Sequence, residues 1–241
     1  MNRVLIGFLA VTFSLGVGSA DPNPSTPPVP ENEMVNRYVD ATQQQHDALR
    51  GGTMEVDIDA NVPNLKAQGK LHALKSISKL GKITYHALGF SGDNSVKNDV
   101  IARYLKAEVD ASQGDKDYSV TPTNYKFKYK GMENRDGRDV YIFGLKPRHK
   151  KVGFFKGELW LDAQTYLPVR ETGTFVKTPS IFLKKMQFDR VYDIQNGVSV
   201  PQRMESKADV RFIGPVQLSI NYSKFSKEDS DVAGIATDPQ Q

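Results

Sequence analysis

The sequence predicts a mainly β (α+β) fold, a large curved antiparallel sheet, closed or half-closed, with about two helices on its inner face. Apolar and polar residues alternate with a period of two over most of the chain, beginning with residues 54–62. Two dipeptides, Asp136-Gly137 and Asn196-Gly197, are typical of hairpin turns. Strands do not alternate with helices along the chain, which excludes a parallel Rossmann-type sheet.

Two stretches have the three- and four-residue spacing of amphipathic helices. The first begins at Asn32, the expected N-cap, and ends at Gly51 and Gly52. The second lies between residues 93 and 111, with capping side chains expected at positions 93–95. The predicted inner faces consist of Met34, Val35, Tyr38, Val39, Thr42, His46 and Leu49 in the first helix and Val96, Val100, Ile101, Tyr104, Leu105 and Val109 in the second.

The predicted strands form a three-stranded meander before the second helix and a longer meander after it. The clean alternation of residues 54–62 indicates a strand with one buried face. The remaining strands are expected at residues 67–78, 82–90, 125–130, 138–146, 153–162, 167–177, 182–194, 198–212 and 216–225.

The first twenty residues have the pattern of a cleavable secretory signal. Arg3 gives a positive start, residues 4–17 carry no charge, and Gly18, Ser19 and Ala20 are small residues of the kind found at a cleavage site. Five prolines within residues 21–31 then predict an extended linker. We therefore expect cleavage near Ala20, a folded domain over residues 32–225 and a disordered tail at 226–241.

The composition excludes several classes of function. The chain has no cysteine, so it has no thiol nucleophile, no thiolate metal site and no lipid-modified N-terminal cysteine. If exported, it is expected to be soluble rather than lipid-anchored. The formal net charge of +4 falls to +3 without the signal, which is far below the clustered charge of a nucleic-acid-binding domain.

No motif points to catalysis, a cofactor or a metal. His72 and His86 lie on neighbouring predicted strands, but no third ligand stands at suitable spacing for zinc. Glu55, Asp57 and Asp59 occupy successive outward positions of one strand, where pairing with Lys66, Lys70 or His72 on the next strand is expected rather than calcium binding. We therefore expect a protein that is not an enzyme. A hydrolase with a dispersed active site would require three or more polar side chains that converge in a buried pocket.

The densest run of charge is the basic loop at residues 146–151, which contains Lys146, Arg148, His149, Lys150 and Lys151. Such a loop can contact anionic headgroups or an acidic partner, and each charge near a membrane contributes about 1 kcal/mol. The alternative is a solvated hairpin loop without a partner.

Residues 157–170 read Gly-Glu-Leu-Trp-Leu-Asp-Ala-Gln-Thr-Tyr-Leu-Pro-Val-Arg. A strand ending in Leu-Trp-Leu-Asp, a turn and then Leu-Pro-Val-Arg resembles a block of the LolA/LolB-like superfamily of periplasmic carriers of outer-membrane lipoproteins. The order of helices and strands over residues 32–225 is also similar. The family-motif hairpin consists of Trp160, Leu161, Asp162, Leu167, Pro168, Val169 and Arg170.

The resemblance implies an unclosed β-barrel with the helices as a lid over an apolar cavity. It implies a soluble, monomeric periplasmic carrier of lipid or of the acyl chains of lipoproteins, with transient contact to membrane-bound transfer partners and with neither cofactor nor metal. The alternative is a sensor module of the same fold that recognises a protein partner. The candidates for the lining of the cavity are Met54, Val56, Ile58, Leu71, Ile83, Tyr85, Phe127, Phe143 and Leu159.

Overall fold

The computed structural model describes residues 29–113 and 117–227. Helix α1 spans Glu31–Leu49, and a short helix α2 (Asn94–Val96) continues through a π-helical turn (Lys97–Ile101) into α3 (Ala102–Gln113). The strands are β1 (Gly52–Val62), β2 (Ala67–Ile77), β3 (Ile83–Gly92), β4 (Tyr125–Arg135), β5 (Arg138–Pro147), β6 (Phe155–Asp162), β7 (Pro168–Phe175), β8 (Leu183–Gln195), β9 (Val198–Val210) and β10 (Gly214–Lys227).

The ten strands form one antiparallel sheet in the order β3-β2-β1-β10-β9-β8-β7-β6-β5-β4. The chain enters in the middle at β1, reaches one edge at β3, crosses over through α2 and α3 to the opposite edge at β4, and returns strand by strand to β10 beside β1. The described strands do not pair β3 with β4, so the sheet stays unclosed. The predicted antiparallel half-barrel is confirmed.

Hairpin turns form where the sequence predicts them. Asp136 and Gly137 have φ angles of 51° and 80°, and Asn196 and Gly197 have 52° and 77°. Two consecutive residues in the left-handed region are the mark of a type I′ turn, whose twist matches that of the flanking strands. These turns fix the registers of β4 with β5 and of β8 with β9.

The two faces of the sheet differ sharply. The face that bears the helices, the inner face, carries two separate apolar clusters. Cluster 1 lies under α1 on β4–β8 and includes Met34, Tyr38 and Phe143. Cluster 2 lies under α2 and α3 on β1, β2, β9 and β10 and includes Val56, Ile58 and Ile220. Each helix therefore covers its own part of the sheet, as expected for helices on the inner face.

The helix starts differ in detail from the prediction. Helix α1 begins at Glu31 after Pro30, so Asn32 lies in the first turn and is not the N-cap. The carbonyl of Pro30 accepts the backbone N–H groups of Glu33 and Met34, which starts the helix. At the second helix Asp93 is the N-cap residue, but its carboxylate accepts no hydrogen bond from the helix. It accepts the backbone N–H of Gln68 at 3.0 Å instead.

Several predicted segments fall outside the described residues. These are the signal at residues 1–20, residues 21–28 of the linker and residues 228–241 of the tail. The described end of the chain differs from the prediction, because β10 continues to Lys227 whereas a tail was expected from residue 226. No described helix combines the length and the apolar character needed to cross a bilayer.

Candidate functional site

A group of polar side chains lies on the inner face, partly beside cluster 2 under α3 and partly, on β7 and β8, where cluster 2 meets cluster 1. Cross-strand register places it there, because Lys75 is opposite Tyr85, Arg190 is opposite Glu171, and Tyr222 is opposite Val56 of cluster 2. Helix α3 adds its inward-facing side chains. We call this set the interior group, and it consists of Lys75, Tyr85, Tyr104, Glu108, Glu171, Arg190, Tyr192 and Tyr222.

One half of the interior group fastens α3 to the sheet. The Lys75 ammonium on β2 donates to Glu108 Oε1 on α3. The other carboxylate oxygen of Glu108 accepts hydrogen bonds from Tyr85 OH at 2.6 Å and from Tyr104 OH at 3.2 Å. The Lys75 ammonium also lies 5.6 Å from the ring centroid of Tyr222. Both charges are therefore satisfied, as a buried ion pair requires.

The other half centres on Arg190 of β8. Its Nη1 donates to Glu171 Oε2 at 2.9 Å, and its guanidinium carbon lies 4.8 Å from the centroid of the Phe188 ring. Glu171 is buried, but the Arg190 side chain keeps 40% of its surface exposed. The Arg190 guanidinium therefore lies deep within the fold, where burial affects its pKa, yet keeps part of its surface accessible to water. We interpret this opening as the gap between the parts of the sheet that the two helices cover.

The charge states within the interior group are strongly fixed. Burial alone would raise the pKa of Glu108, but Lys75 and the two tyrosine hydroxyls outweigh it, and the net pKa is lowered. Burial also lowers the pKa of Arg190, yet the charge of Glu171 and nearby tyrosines raises it overall. Burial raises the pKa of Tyr222 to about 12. Burial likewise raises the pKa values of Tyr85, Tyr104 and Tyr192 above the ordinary range of tyrosine.

Six of the nine cavity candidates are packed core in this structure. Met54, Val56, Ile58 and Leu71 lie in cluster 2, and Phe143 and Leu159 lie in cluster 1, with exposures of 5% or less. Ile83, Tyr85 and Phe127 are half-buried. All nine lie on the inner face, as their cross-strand partners require. The space that they border is filled by side chains of the sheet and of the helices.

The family-motif hairpin joins β6 to β7. Asp162 accepts the backbone N–H of Thr165 at 2.7 Å and its hydroxyl at 2.8 Å, which shapes the turn. Trp160 points to the outer face, where it lies between the guanidinium groups of Arg135 and Arg170 at 5.3 and 4.7 Å from the ring centroid. The buried contacts come from the neighbouring leucines. Of the other motif residues, Leu161 and Leu167 are buried, Pro168 and Val169 are half-buried, and Arg170 binds Asp189.

The acidic strand face forms a ladder of ion pairs. Asp59 pairs with Lys70 at 2.8 Å, and Asp57 binds His72 Nδ1 at 2.8 Å. Glu55 pairs with Lys224 of β10 rather than with Lys66. Among the described residues no three metal-ligating side chains converge. An open groove of about 880 Å³ on this outer face is lined mainly by polar side chains and does not resemble an acyl site.

Sequence reasoning missed most of the interior group. Only Tyr85 was among the candidates for the cavity, and Tyr104 was expected on the helix stripe. The sequence feature that could have indicated the interior group is a charged residue at a strand position whose side chain points to the inner face. Lys75 continues the series Leu71 and Ala73, and Arg190 follows Phe188 two residues later. A charge at such a position must find a partner across the interior.

Comparison with known proteins gives a partial match to a family and several similar structures. A family model described as an uncharacterized protein matches residues 108–211, which is less than half of the chain. A search of curated proteins gives no match.

Three similar solved structures are worth naming. A DUF1329 family protein from Desulfovibrio piger has a TM-score of 0.47 and 15% identity, with 83% of this chain and 94% of that chain covered. A LolA superfamily protein from Nitrosomonas europaea has a TM-score of 0.40 and 12% identity over the same shares. A putative outer membrane lipoprotein-sorting protein domain from Vibrio parahaemolyticus has a TM-score of 0.40 and 13% identity, covering 81% and 94%. At TM-scores below 0.5, no functional argument rests on them.

Proposed function

We propose that the protein is an exported, periplasmic carrier that holds lipid or the acyl chains of lipoproteins between its helices and its sheet. The observation that carries this proposal is the arrangement on the inner face. Two apolar clusters stand side by side, each covered by a separate helix, with a water-accessible gap at Arg190 between them.

Helix α3 is attached in a way that allows it to move. None of its residues is fully buried, and its apolar side chains Leu105 and Val109 remain half-buried. Tyr104 and Leu105 pack against cluster 2, and polar contacts complete the attachment, from Lys75 to Glu108 and from the backbone N–H of Ile83 to Ser112 Oγ at 3.1 Å. Lifting α3 would break these contacts but would leave the strand residues of cluster 2 in place on the sheet.

Lifting α3 would expose apolar side chains of cluster 2 that were predicted to line a cavity, among them Val56, Ile58 and Leu71. Each methylene that an acyl chain buries against such a surface contributes about 0.8 kcal/mol. The interior group lies at the border of this surface. Its tyrosine hydroxyls and its Arg190 guanidinium offer hydrogen bonds to the polar end of the ligand.

The proposal does not include catalysis. The interior group has no serine, cysteine or histidine, and its tyrosines keep their protons at neutral pH because burial raises their pKa values. The chemistry available is binding through hydrogen bonds and apolar contact. We therefore propose acylated cargo and membrane-bound transfer partners as the binding partners. We also propose that the chain acts as a monomer.

The test is to lock α3 against the sheet. Because the chain has no native cysteine, Ile83→Cys combined with Ser112→Cys introduces a single thiol pair where the backbone N–H of residue 83 now lies 3.1 Å from Ser112 Oγ. Binding of a dansyl-labelled fatty acid is then titrated by fluorescence before and after oxidation. We expect at least a tenfold loss of affinity on oxidation and full recovery on reduction.

The two single-cysteine variants are the matched controls, and their affinity should not change on oxidation. Equal affinity of the oxidised and reduced double variant would contradict entry beneath α3. If the unmodified protein fails to bind the probe and instead co-purifies with one stoichiometric protein, the alternative of a sensor module replaces the carrier.

A further inference from the structure

One end of the sheet gathers four turns with exposed apolar tips. The turns that join β1 to β2, β5 to β6, β7 to β8 and β9 to β10 all lie at this end because the sheet is antiparallel throughout. We call it the loop end. The opposite end carries the turns after β2, β4, β6 and β8.

Apolar side chains protrude from the tips of these turns. Phe212 is 92% exposed, Ile181 is 81% exposed and Phe182 is 54% exposed. The remaining exposed apolar side chains at this end are Leu65, Val152 and Ile213. Side chains of this size are normally buried, and several together on one surface mark an interaction site.

Contacts between the turns hold these tips near one another. The backbone N–H of Arg211 donates to the carbonyl of Phe182 at 2.7 Å, which joins the β7–β8 and β9–β10 turns. Gly214 packs so closely on Asn64 of the β1–β2 turn that a Cβ at position 214 would collide with the amide. The apolar tips therefore belong to one continuous edge of the molecule.

Basic side chains surround this edge. The exposed ones are Lys66, Arg148, Lys150, Lys151, Lys177, Lys184, Lys185 and Arg211. Within residues 29–113 and 117–227, none of them forms a salt bridge with a carboxylate. Their charge remains available to an anionic partner. The basic loop of the sequence thus becomes one part of a larger positive surface.

We propose that the loop end docks onto an anionic lipid bilayer. Separate protruding side chains suit insertion between lipid headgroups. Surrounding lysines and arginines suit the negative surface of such a bilayer, and each contributes about fivefold in affinity. The surface is distinct from the interior in which acyl cargo is proposed to lie.

The experiment is co-sedimentation of the purified protein with vesicles. Vesicles of phosphatidylglycerol and phosphatidylethanolamine are compared with vesicles of phosphatidylcholine alone. We expect binding to the anionic vesicles that weakens as salt is raised, because salt screens surface charges. Phe182→Ser combined with Phe212→Ser should reduce the affinity at least tenfold. Leu80→Ser is the matched control, since Leu80 is 80% exposed at the opposite end.

Charge is tested separately with Lys184→Gln and Lys185→Gln. Each should lower anionic vesicle binding about fivefold, whereas Lys79→Gln and Lys82→Gln at the opposite end should leave it unchanged. The proposal would be overturned if the variants at Lys79 and Lys82 lost as much affinity for anionic vesicles as those at Lys184 and Lys185. Equal binding to both kinds of vesicle would also overturn it, and so would binding to an acidic protein but to neither kind of vesicle. All these variants should still bind the dansyl fatty acid, so failure here is distinguishable from failure of the carrier function.

Discussion

Glu108 determines how α3 meets the sheet at the scale of single residues. Its carboxylate receives the Lys75 ammonium and two tyrosine hydroxyls, while Lys75 keeps only 7% of its side chain exposed. A buried ammonium has few alternatives to this partner. The pair therefore contributes to the position of α3, together with the packing of Tyr104 and Leu105 against cluster 2.

Glu108→Gln should destabilise the protein by about 3–5 kcal/mol at pH 7, because Lys75 is left buried without its counter-charge. The lowered pKa of Glu108 in the folded state means that its stabilisation is present above the unfolded value of 4.5 and is lost as the pH falls through the folded value. Urea unfolding between pH 7 and pH 3 measures the free energies of unfolding of the unmodified protein and of Glu108→Gln. The difference between the two should become smaller as the pH falls.

Asp110→Asn is the control for this residue. Asp110 forms an exposed pair with Lys106 on the same helix, and its loss should cost about 0.5 kcal/mol or less. If Glu108→Gln lowers the free energy of unfolding at pH 7 by no more than Asp110→Asn does, the Lys75–Glu108 ion pair does not stabilise the packing of α3 on the sheet.

Helix α1 shows how a whole element is docked. The Gln45 amide accepts the backbone N–H of Ser199 at 2.9 Å and donates to the carbonyl of the same residue. The side chain thus pairs with β9 in the manner of a neighbouring strand. It fixes the C-terminal half of α1 near the start of β9, while Met34 and Tyr38 fix the N-terminal half in cluster 1.

Gln45→Ala should lower the free energy of unfolding by about 1–3 kcal/mol, since it leaves two buried backbone groups of Ser199 without partners. Thermal or urea unfolding measures this directly. Gln44→Ala, one position earlier and exposed, should change the stability little. A similar change in stability in both variants would contradict a specific role of the Ser199 contact.

Individual elements were largely predictable because their signals are local. The alternation in residues 54–62 predicted β1, and the Asn196-Gly197 pair predicted the turn between β8 and β9. The pairing of β1 with β10 was not predictable, since Ile58 and Ile220 are far apart in sequence and no local pattern identifies them as partners. The same limit hid the interior group. A lone Lys75 or Arg190 indicates a buried partner but does not say which one.

The whole molecule owes its open form to the path of the chain. The chain begins the sheet in the middle and reaches both edges, and the crossover between the edges is made by α2 and α3 instead of by a strand. Because the two helices cover separate clusters, one can move while the other stays in place.

This architecture separates two tasks that we propose for the molecule. The inner face beneath α3 would receive acyl cargo, and the loop end would contact the membrane from which cargo is taken or to which it is delivered. Tips such as Phe212 lie beyond the ends of the strands, outside both apolar clusters. Binding at the membrane therefore need not compete with binding in the interior.

Native mass spectrometry of the full-length protein extracted from its own cell envelope tests the central claim most directly. The carrier function predicts a population whose mass exceeds that of the polypeptide by one lipid or acylated species, released on denaturation. A protein that carries no lipid under gentle extraction, and that also fails to bind the dansyl fatty acid, would contradict it.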